Sequence, residues 1–530
     1  MAQHPLPDRS EGLPVEMPGA CPGENRTAYL TPKLKIALAP PFLGTRFLFL
    51  ILLSGYLFLS GCTARTVQPV PTMSQRAPTS KVTATRTHPT ATPTLTAAPT
   101  PRSTSATGLS EADIQGTHLV FWRVQTGTSL NGQADPMQPL IADFNQKNPW
   151  GIQVEVVNFD SYAALIEQIQ ASLYGDLPEV VSAYSYYLAR LDPSGPFLVD
   201  LEPYIKDGKW GLSPDEIDDF IPQFLGQDVT TSQTGTQKRL GLPFYRWSYG
   251  LFYNQTWASD LGFTNPPATM QKLSYQLCAA AEAVGQASGS GSNPSGGWAF
   301  DASPLALQGL IAAFGGDVSP HRNGYDLDSE TVLNAFSYVR DLADEGCAWV
   351  PSDSDPESLL ADRQALVISG SLADAARQTE AFDKVGSHDR WVFLPFPSDR
   401  GEAIPLAYGP SLAAVPSTPR QQLASWLFIR WLVSPENQAA WAEKTGSLPV
   451  RTSAYRLLDT YRQSHPEWAA AADLLPESTV EPSAASWITV RWVLSDAGKQ
   501  IFSPRVSETD LPTVIDMLDQ TADELQGQVR

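Results

Sequence analysis

The chain has 530 residues, of which 42% are hydrophobic and 10% aromatic; this apolar content can build large cores and excludes a wholly disordered protein. Its net charge of −20 excludes a general nucleic-acid binder, because such proteins carry basic patches or stripes. Four cysteines are too few for a fold held together mainly by disulfides.

The N-terminal region has the pattern of an exported lipoprotein. Basic residues, the last of them Arg46, precede an uncharged apolar stretch at 47–61. This stretch suits the h-region of a signal peptide and is shorter than the roughly 20 residues of a membrane-spanning helix. It ends in Leu-Ser-Gly directly before Cys62, which resembles a bacterial lipobox. We therefore expect residues 1–61 to be a leader and signal peptide and Cys62 to be lipidated; the alternative is a signal anchor with an incidental cysteine.

Residues 62–115 are predicted to be a disordered tether. Within them, residues 63–108 contain 14 threonines, seven prolines and four serines, and no acidic or aromatic residue. Such a composition buries too little apolar surface to offset the entropy lost on ordering. A tether after a lipid anchor lets a globular domain move above a membrane while remaining attached.

The globular region begins near residue 116 with alternating elements. Strands are predicted at 118–122, 152–157 and 179–181, with helices between them at 137–148 and 162–173. This order predicts βαβ units and a largely parallel sheet. Ligands bind such sheets at the carboxyl ends of the strands.

The middle third changes character. An aromatic-rich, strand-like segment precedes a Gly/Ser loop, and helices and short strands then follow. In chain order, these are the strand-like segment 240–254, the loop 285–297, helices at 305–314 and 330–345, strands at 365–369 and 391–394, and helices at 423–433 and 435–445.

Several short segments occur in an order that resembles one family. They are ASLYGDLPEVV (171–181), GLP (241–243) with LFYN (251–254), LGF (261–263) with PPAT (266–269), ALVISGS (365–371) and WLVSPENQ (431–438). Their joint order is similar to that of family 1 extracellular solute-binding proteins, the sugar-binding lipoproteins of ABC importers, over roughly residues 116–505. The sequence departs from the family pattern at Glu179, Met270 and Leu372, which concerns ligand identity more than fold.

The resemblance implies an α/β, two-lobe, periplasmic-binding-protein-like clamshell of type II, in which each lobe is an α/β sandwich. We assign the N-terminal lobe to 116–243 plus 365–406 and the C-terminal lobe to 244–364 plus 407–530. A carbohydrate, polyol or oligosaccharide would bind in the cleft, and the closed form would dock on an ABC importer permease. The resemblance implies a monomer without a cofactor, anchored to the outer face of the cell membrane.

Candidate ligand-binding residues are aromatic or cationic side chains near predicted strand ends. Aromatic rings cover the C–H faces of sugars, and polar groups bind the hydroxyls at the rim. The candidates are Trp122, Tyr184, Tyr186, Arg246, Trp247, Tyr249, Trp298, Phe300 and Tyr408. The alternative for each aromatic residue is a place in the core, and for Arg246 an ion pair between the lobes.

Cys278 and Cys347 are the two cysteines of the exported globular region, and two cysteines outside a reducing compartment can pair. We expect a disulfide between them; the alternative is two buried free thiols. No partners at zinc-ligand spacing accompany the pair, so no metal site is predicted.

The sequence offers little support for catalysis. Gly409-Pro410-Ser411-Leu412-Ala413 lacks the last glycine of a G-x-S-x-G nucleophile elbow, so no catalytic residue is assigned. A glycoside hydrolase remains the enzyme alternative, because two carboxylates across a cleft would suffice for it. A third alternative is a carbohydrate-binding or adhesin lipoprotein that takes no part in transport.

Overall fold

The computed structural model describes residues 107–125, 135–173, 175–192, 197–231, 235–288, 296–352, 355–400 and 402–529. The predicted signal peptide, Cys62 and most of the predicted tether lie outside the described residues. Within the described residues, no helix combines the length and the apolar character needed to cross a membrane.

The first sheet has five strands in the order β2-β1-β3-β13-β6. The strands are β1 (His118–Val124), β2 (Gln153–Phe159), β3 (Val180–Ala183), β6 (Leu242–Pro243) and β13 (Ser411–Ala414). β1 runs parallel to β2 and β3, as the βαβ pattern predicts, and β13 is antiparallel to β3 and β6. The carboxyl ends of β1, β2 and β3 therefore lie at one edge of this sheet.

The second sheet contains β14, β12, β7, β10, β8 and β9 in that order. A seventh strand, β11, pairs with the last residues of β7, whereas β12 pairs with the first ones. The strands are β7 (Trp247–Asn254), β8 (Gly296–Ala299), β9 (Ala348–Trp349), β10 (Ala365–Ser371), β11 (Trp391–Leu394), β12 (Leu406–Tyr408) and β14 (Thr479–Val480). β8, β9 and β10 are parallel to one another, and β7 is antiparallel to β10, β11 and β12. A separate hairpin pairs β4 (Val229–Thr231) with β5 (Gln237–Arg239).

Eighteen α-helices of the described residues surround the sheets. They are α1 (Met137–Lys147), α2 (Tyr162–Ala171), α3 (Ser185–Leu191), α4 (Glu202–Ile205), α5 (Pro214–Asp218), α6 (Pro222–Gln227), α7 (Gln255–Asp260), α8 (Met270–Ser288), α9 (Pro304–Ala313), α10 (Glu330–Asp344), α11 (Pro356–Ala361), α12 (Ala375–Val385), α13 (Pro419–Leu432), α14 (Pro435–Thr445), α15 (Asp459–Ser464), α16 (Pro466–Leu474), α17 (Trp487–Ile501) and α18 (Leu511–Gln528). Four of them begin at a serine or threonine cap followed by proline, as at Thr418 before α13.

The sheet pairings correct the predicted division of the chain. β10, β11 and β12 belong to the second sheet with β7 and β8, so segment 365–406 is not part of the first lobe. β13 belongs to the first sheet, so the segment that begins at 407 is not wholly part of the second lobe. The physical reason is strand pairing between residues far apart in sequence, which a local pattern does not encode.

The two sheets have extensive apolar cores. One apolar cluster lies on one face of the first sheet and on one face of the second, and includes Phe121, Phe428 and Phe393. Another fills the opposite face of the second sheet, against α8, α9, α10, α17 and α18. A smaller cluster, with Trp122 and Val181, lies on the other face of the first sheet.

The predicted disulfide between Cys278 and Cys347 is present. It joins α8 to the turn between α10 and β9, on the side of the second sheet that packs against helices. The bridge therefore links two segments 69 residues apart in the chain.

Candidate functional site

Three segments of the described residues connect the two sheets, and Arg246 lies where the first two meet. The first runs from β6 to β7, the second from β12 to β13, and the third from α16 to β14. The Arg246 Nη1 donates to the carbonyl oxygens of Tyr245 and Pro410, each at 2.9 Å. Its Nη2 donates to Oε1 of Gln227 at 3.0 Å, and Gln227 donates to the carbonyl oxygen of Glu481 at 2.8 Å.

The second connection passes very close to the first. A Cβ atom on Gly409 would lie 2.4 Å from the carbonyl oxygen of Tyr245 and 3.0 Å from the Cα of Arg246. Only glycine fits this approach. The glycine of the Gly-Pro-Ser sequence at 409–411 therefore allows the first two connections to pack closely. This structural role explains the glycine without a nucleophile elbow.

Five tyrosines meet beside these connections, and we call them the tyrosine cluster: Tyr162, Tyr184, Tyr186, Tyr187 and Tyr408. Tyr184 stacks on Tyr186 with ring centroids 5.4 Å apart, and faces Tyr408 in a near-parallel orientation at 6.5 Å. Tyr162 stacks on Tyr187 at 5.2 Å and packs against Tyr184 at 4.7 Å. Tyr408 ends β12 of the second sheet and the other four follow strands of the first, so the cluster joins the two lobes.

Local sequence explains how the first lobe presents these rings. Ser161 caps α2, because its side chain accepts a hydrogen bond from the backbone N–H of Ala164. This cap places Tyr162 at the first position of the helix, just beyond the carboxyl end of β2. Tyr184 directly follows β3 and precedes α3. Both residues are therefore at the edge of the sheet where ligands of α/β proteins bind.

The tyrosine hydroxyls remain protonated near neutral pH. Burial raises the pKa values of Tyr162 and Tyr184 well above the ordinary tyrosine value, and neighbouring tyrosines add to the effect. Burial also raises the pKa of Tyr408, although its hydrogen bond to Ser371 opposes this. Each ring can therefore offer an apolar face together with a hydroxyl that donates and accepts hydrogen bonds.

The second lobe adds carboxylates at its strand ends. Asp301, just after β8, accepts a hydrogen bond from the Tyr249 hydroxyl at 2.5 Å and from the backbone N–H of Ser303 at 3.0 Å. Burial raises the pKa of Asp301 despite these hydrogen bonds. Burial also raises the pKa of Asp374, and the pKa of Tyr408 is raised in part by the Asp374 charge.

An ion pair closes the other side of the cluster. The Arg491 Nη1 on α17 lies 3.3 Å from Oε1 of Glu481 and donates a hydrogen bond to the Tyr186 hydroxyl. Burial lowers the pKa of Arg491, but the Glu481 charge and the neighbouring tyrosines together outweigh it, and the pKa lies above its ordinary value. The Nε atom of Arg491 is buried without a hydrogen-bond partner. The guanidinium is therefore held in place with one donor still available.

Four of the predicted site residues come together: Tyr184, Tyr186, Tyr249 and Tyr408. Tyr184 and Tyr408 are partly exposed, whereas Tyr186 and Tyr249 are buried, with their hydroxyls bonded to Arg491 and Asp301.

The structure places four other candidates in the interior. Trp298 is fully buried and donates from Nε1 to the Ser369 hydroxyl at 3.0 Å. Phe300 is fully buried, Trp122 is packed against Phe159, and Arg246 is enclosed by the connections. Packing in the sheets and in the connections therefore covers these four side chains in this structure.

The remaining candidate, Trp247, is largely buried and lies opposite Tyr408 in the pairing of β7 with β12. Glu179, which departs from the family pattern, is also structural. It accepts hydrogen bonds from the backbone N–H of Val120 at 2.7 Å and from Gln421 at 2.8 Å.

Sequence reasoning did not select several residues around the cluster: Tyr162, Ser371, Asp301, Asp374, Glu481 and Arg491. Asp301 had a usable signal, because it is the carboxylate that directly follows the strand containing Trp298. Arg491 and Glu481 had none. Both are more than 300 residues from Tyr162, and only the third connection brings them to it.

Replacing Asp301 by asparagine is expected to raise the melting temperature near pH 7. The raised pKa means that folding favours the protonated form of Asp301. The stabilisation that protonated Asp301 provides is fully present below the unfolded-state pKa and is lost as pH rises through the folded-state pKa. The melting temperature of the wild type should therefore rise relative to that of the variant as pH falls. Thermal melts between pH 3 and pH 8 measure this difference. The exposed Asp176→Asn is the control, and a loss of stability in Asp301→Asn at pH 7 would contradict the expectation.

Cys278, Glu345 and Cys347 bring ligand-type atoms within 4.8 Å of one another. The two sulfur atoms are joined as a disulfide, and a metal would require free thiolates. This group is therefore a covalent link in the second lobe rather than a metal centre.

Comparison with known proteins places this geometry in a family. Residues 139–476 match the family model described as "Bacterial extracellular solute-binding protein". The chain is 26% identical over 378 residues to the sn-glycerol-3-phosphate-binding periplasmic protein UgpB of Yersinia pseudotuberculosis, covering 68% of this chain and 79% of the relative.

Solved structures share the fold at low sequence identity. The cyclic α-maltosyl-1,6-maltose binding protein of Arthrobacter globiformis superposes with a TM-score of 0.64 at 16% identity, covering 78% of this chain and 99% of that protein. UgpB of Mycobacterium tuberculosis, solved in complex with glycerophosphocholine, gives 0.61 at 21% identity, covering 78% and 99%.

These likenesses agree with the two-sheet architecture. The family consists of binding proteins rather than enzymes, and it acts outside the cytoplasm. The chain belongs to the bacterial extracellular solute-binding proteins.

Proposed function

We propose that this protein captures a carbohydrate or related polyol between its two lobes and delivers it to the permease of an ABC importer. The observation that carries the proposal is the tyrosine cluster, which combines stacked rings with hydroxyls and carboxylates where the two lobes meet. This combination suits a ligand with C–H faces and many hydroxyl groups.

The charge of the site favours a neutral ligand over a phosphate ester. The Arg491 charge is already paired with Glu481, and Asp374 is paired with Arg377. A phosphate would therefore have to compete with Glu481 for Arg491, and it would lie near the Asp301 carboxyl group. We therefore infer that sn-glycerol 3-phosphate, named for the UgpB relatives, is a weaker ligand here than a sugar.

Closure follows from the division of the cluster between the lobes. Tyr184 belongs to the first lobe and Tyr408 to the second. A ligand that contacts both rings binds the closed form better than an open one, and that difference in affinity shifts the population toward closure. The closed form is the state that the permease would recognise.

We also propose that the protein is a monomer held at the outer face of the cell membrane. The lipobox-like sequence before Cys62 and the Thr/Pro/Ser-rich tether support this arrangement. Metabolic labelling with a radioactive fatty acid tests it, because wild type should incorporate the label and Cys62→Ala should not.

A thermal-shift screen of the purified protein tests the ligand class. Sugars, polyols, sn-glycerol 3-phosphate and glycerophosphocholine are added one at a time. A ligand at 100 times its dissociation constant stabilises the folded state by about 2.7 kcal/mol, which shifts the melting temperature of a protein of this size by a few degrees. We expect the shift with at least one sugar and none with sn-glycerol 3-phosphate.

The variant Tyr184→Ala supplies the control for the site. It should melt within a few degrees of wild type without ligand and lose the sugar-induced shift. A shift with sn-glycerol 3-phosphate but with no sugar would contradict the proposal. Release of shorter products from an added oligosaccharide would favour the glycoside hydrolase alternative. An unchanged melting temperature with every compound would favour the adhesin alternative.

A further inference from the structure

The disulfide between Cys278 and Cys347 lies beside a carboxylate. Oε2 of Glu345 lies 3.4 Å from Sγ of Cys278 and 3.9 Å from Sγ of Cys347. Neither sulfur of a disulfide has a proton, so the carboxylate receives no hydrogen bond from them. Within the part of the chain that the structure describes, no lysine, arginine or histidine forms an ion pair with Glu345. No ion pair therefore compensates its negative charge at the bridge.

The turn at the end of α10 fixes this arrangement. Gly346 follows the helix with a φ of 73°, a left-handed conformation that glycine adopts without strain. The backbone N–H of Gly346 donates to the carbonyl oxygen of Ala343 at 3.1 Å, and that of Cys347 donates to Leu342 at 2.7 Å. This turn brings the Glu345 carboxylate onto the sulfur atom of the residue two positions later.

The same turn places the bridge at the negative end of a helix. Sγ of Cys347 lies 3.7 Å from the carbonyl oxygen of Glu345, the residue that caps the carboxyl end of α10. A helix carboxyl end carries a partial negative charge of about half an electron. Reactive cysteines have the opposite surroundings, near cations or helix amino ends that stabilise the thiolate. The surroundings of this bridge therefore disfavour a thiolate.

The titratable groups around Glu345 are mostly acidic. Burial raises the pKa of Asp341, and the charges of Glu508, Glu345 and Asp344 raise it further, whereas the charge of Arg340 opposes them. The Arg340 guanidinium is itself paired with Asp344. The neighbours of Glu345 therefore add to its negative charge rather than cancel it.

Burial decides which sulfur a reductant reaches. Cys347 is 3% exposed, whereas Cys278 is partly exposed on α8. A thiolate therefore attacks Sγ of Cys278. Its sulfur bonds to Cys278, the bond between the two cysteines breaks, and the electron pair leaves on Sγ of Cys347, which takes up a proton from water. A second thiolate then bonds to the first, and Cys278 leaves as a thiolate that is protonated in turn.

Glu345 opposes the first of these steps at both sulfur atoms. Its carboxylate repels the thiolate that approaches Cys278 and also the charge that leaves on Cys347. Two unit charges about 5 Å apart in water repel each other enough to slow a reaction roughly fourfold at low ionic strength. A reductant with a further negative group is slowed more, and one with a positive group is slowed less.

We propose that Glu345 protects the Cys278–Cys347 disulfide from reduction by anionic thiols, such as small peptide thiols that have free carboxylates. The protected bridge keeps α8 joined to the end of α10. This inference concerns the far side of the second sheet and does not depend on the ligand.

The test is the rate at which the bridge of the full-length protein is reduced at pH 8 and low ionic strength. The reductants are 3-mercaptopropionate, which has an additional negative group, 2-mercaptoethanol, which has no additional charge, and cysteamine, which has a positive group. Samples are quenched by alkylation, and mass spectrometry measures the fraction with alkylated Cys278 and Cys347. Each rate is divided by the thiolate concentration, because only the thiolate attacks.

Glu345→Gln is expected to raise the rate about eightfold with 3-mercaptopropionate, about fourfold with 2-mercaptoethanol and about twofold with cysteamine. Sodium chloride at about 0.5 M should reduce the differences between the three thiols, because it screens the charges. Glu345→Asp keeps the charge and should stay close to wild type. Glu436→Gln removes an exposed carboxylate on α14 and should change no rate.

The dependence on reductant charge distinguishes protection by charge from shielding by bulk. Rates that rise equally with all three thiols, or that do not change in Glu345→Gln, would overturn the proposal. Free Cys278 and Cys347 thiols in the wild type before any reductant is added would overturn it as well. The melting temperature of each oxidised variant identifies unfolding, and the comparison of Glu345→Asp with wild type then carries the test.

Discussion

Replacing Arg246 by alanine is expected to lower the free energy of unfolding by about 3–5 kcal/mol, the cost of leaving a buried polar network without its cation. Arg246 is fully buried and hydrogen bonded to groups on the connections and to Gln227. Burial lowers its pKa to about 10, so it remains charged at neutral pH, and the charge of the buried Asp228 opposes the shift. Without the guanidinium, the Asp228 carboxylate loses its compensating charge. Urea unfolding measures the loss.

Two variants make the Arg246 result specific. Lys147 is 68% exposed at its side chain and its partner Asp143 is also exposed, so Lys147→Ala should cost less than about 1 kcal/mol, as is typical of surface ion pairs. Asp228→Asn combined with Arg246→Ala should recover part of the loss, because it removes the uncompensated carboxylate. If Arg246→Ala left stability unchanged and abolished ligand binding, the residue would contact the ligand as first predicted from the sequence.

Loss of the Cys278–Cys347 disulfide is expected to lower the free energy of unfolding by about 4 kcal/mol in the chain-entropy treatment of a loop of this length. The bridge closes a loop between residues 69 apart, so its main effect is to restrict the unfolded chain. Urea unfolding of wild type with and without a reductant measures the difference. The midpoint should fall when the bridge is reduced.

The double variant Cys278→Ala, Cys347→Ala is the matched control. Its unfolding midpoint should lie near that of the reduced wild type and should not respond to the reductant. A wild-type midpoint that is equally insensitive would show that the bridge does not form in solution or does not restrict the unfolded chain. Ligand affinity should stay unchanged, because the bridge lies on the helix-covered side of the second sheet.

Many of the helices and strands could be predicted from local patterns in the sequence. The alternation of apolar and polar residues predicted β2, and the spacing of Leu140, Ile141 and Phe144 predicted α1; both match within a few residues. These elements are regular because one face of each is buried, and a buried face leaves a period of two or about 3.6 in the sequence.

The candidate site was predicted only in part. Tyr184 and Tyr408 follow or end strands, and that position alone indicated an edge where ligands bind. Trp298 has a similar position but lies in the core, because its strand is paired on both sides, with β10 and β9, and helices cover it. A residue near a strand end can face either way, and the sequence does not record which neighbours cover it.

The sequence by itself determined the family and many of the helices and strands, because these depend on short motifs and on local periodicity. It predicted the disulfide from the two cysteines of the globular region. Only the tertiary structure decided which segments share a sheet, that Arg246 joins the connections, and that Arg491 and Glu481 meet the tyrosine cluster. The physical reason is that strand pairing and buried hydrogen bonds join residues hundreds of positions apart. Their energies depend on geometry that exists only after the chain has folded.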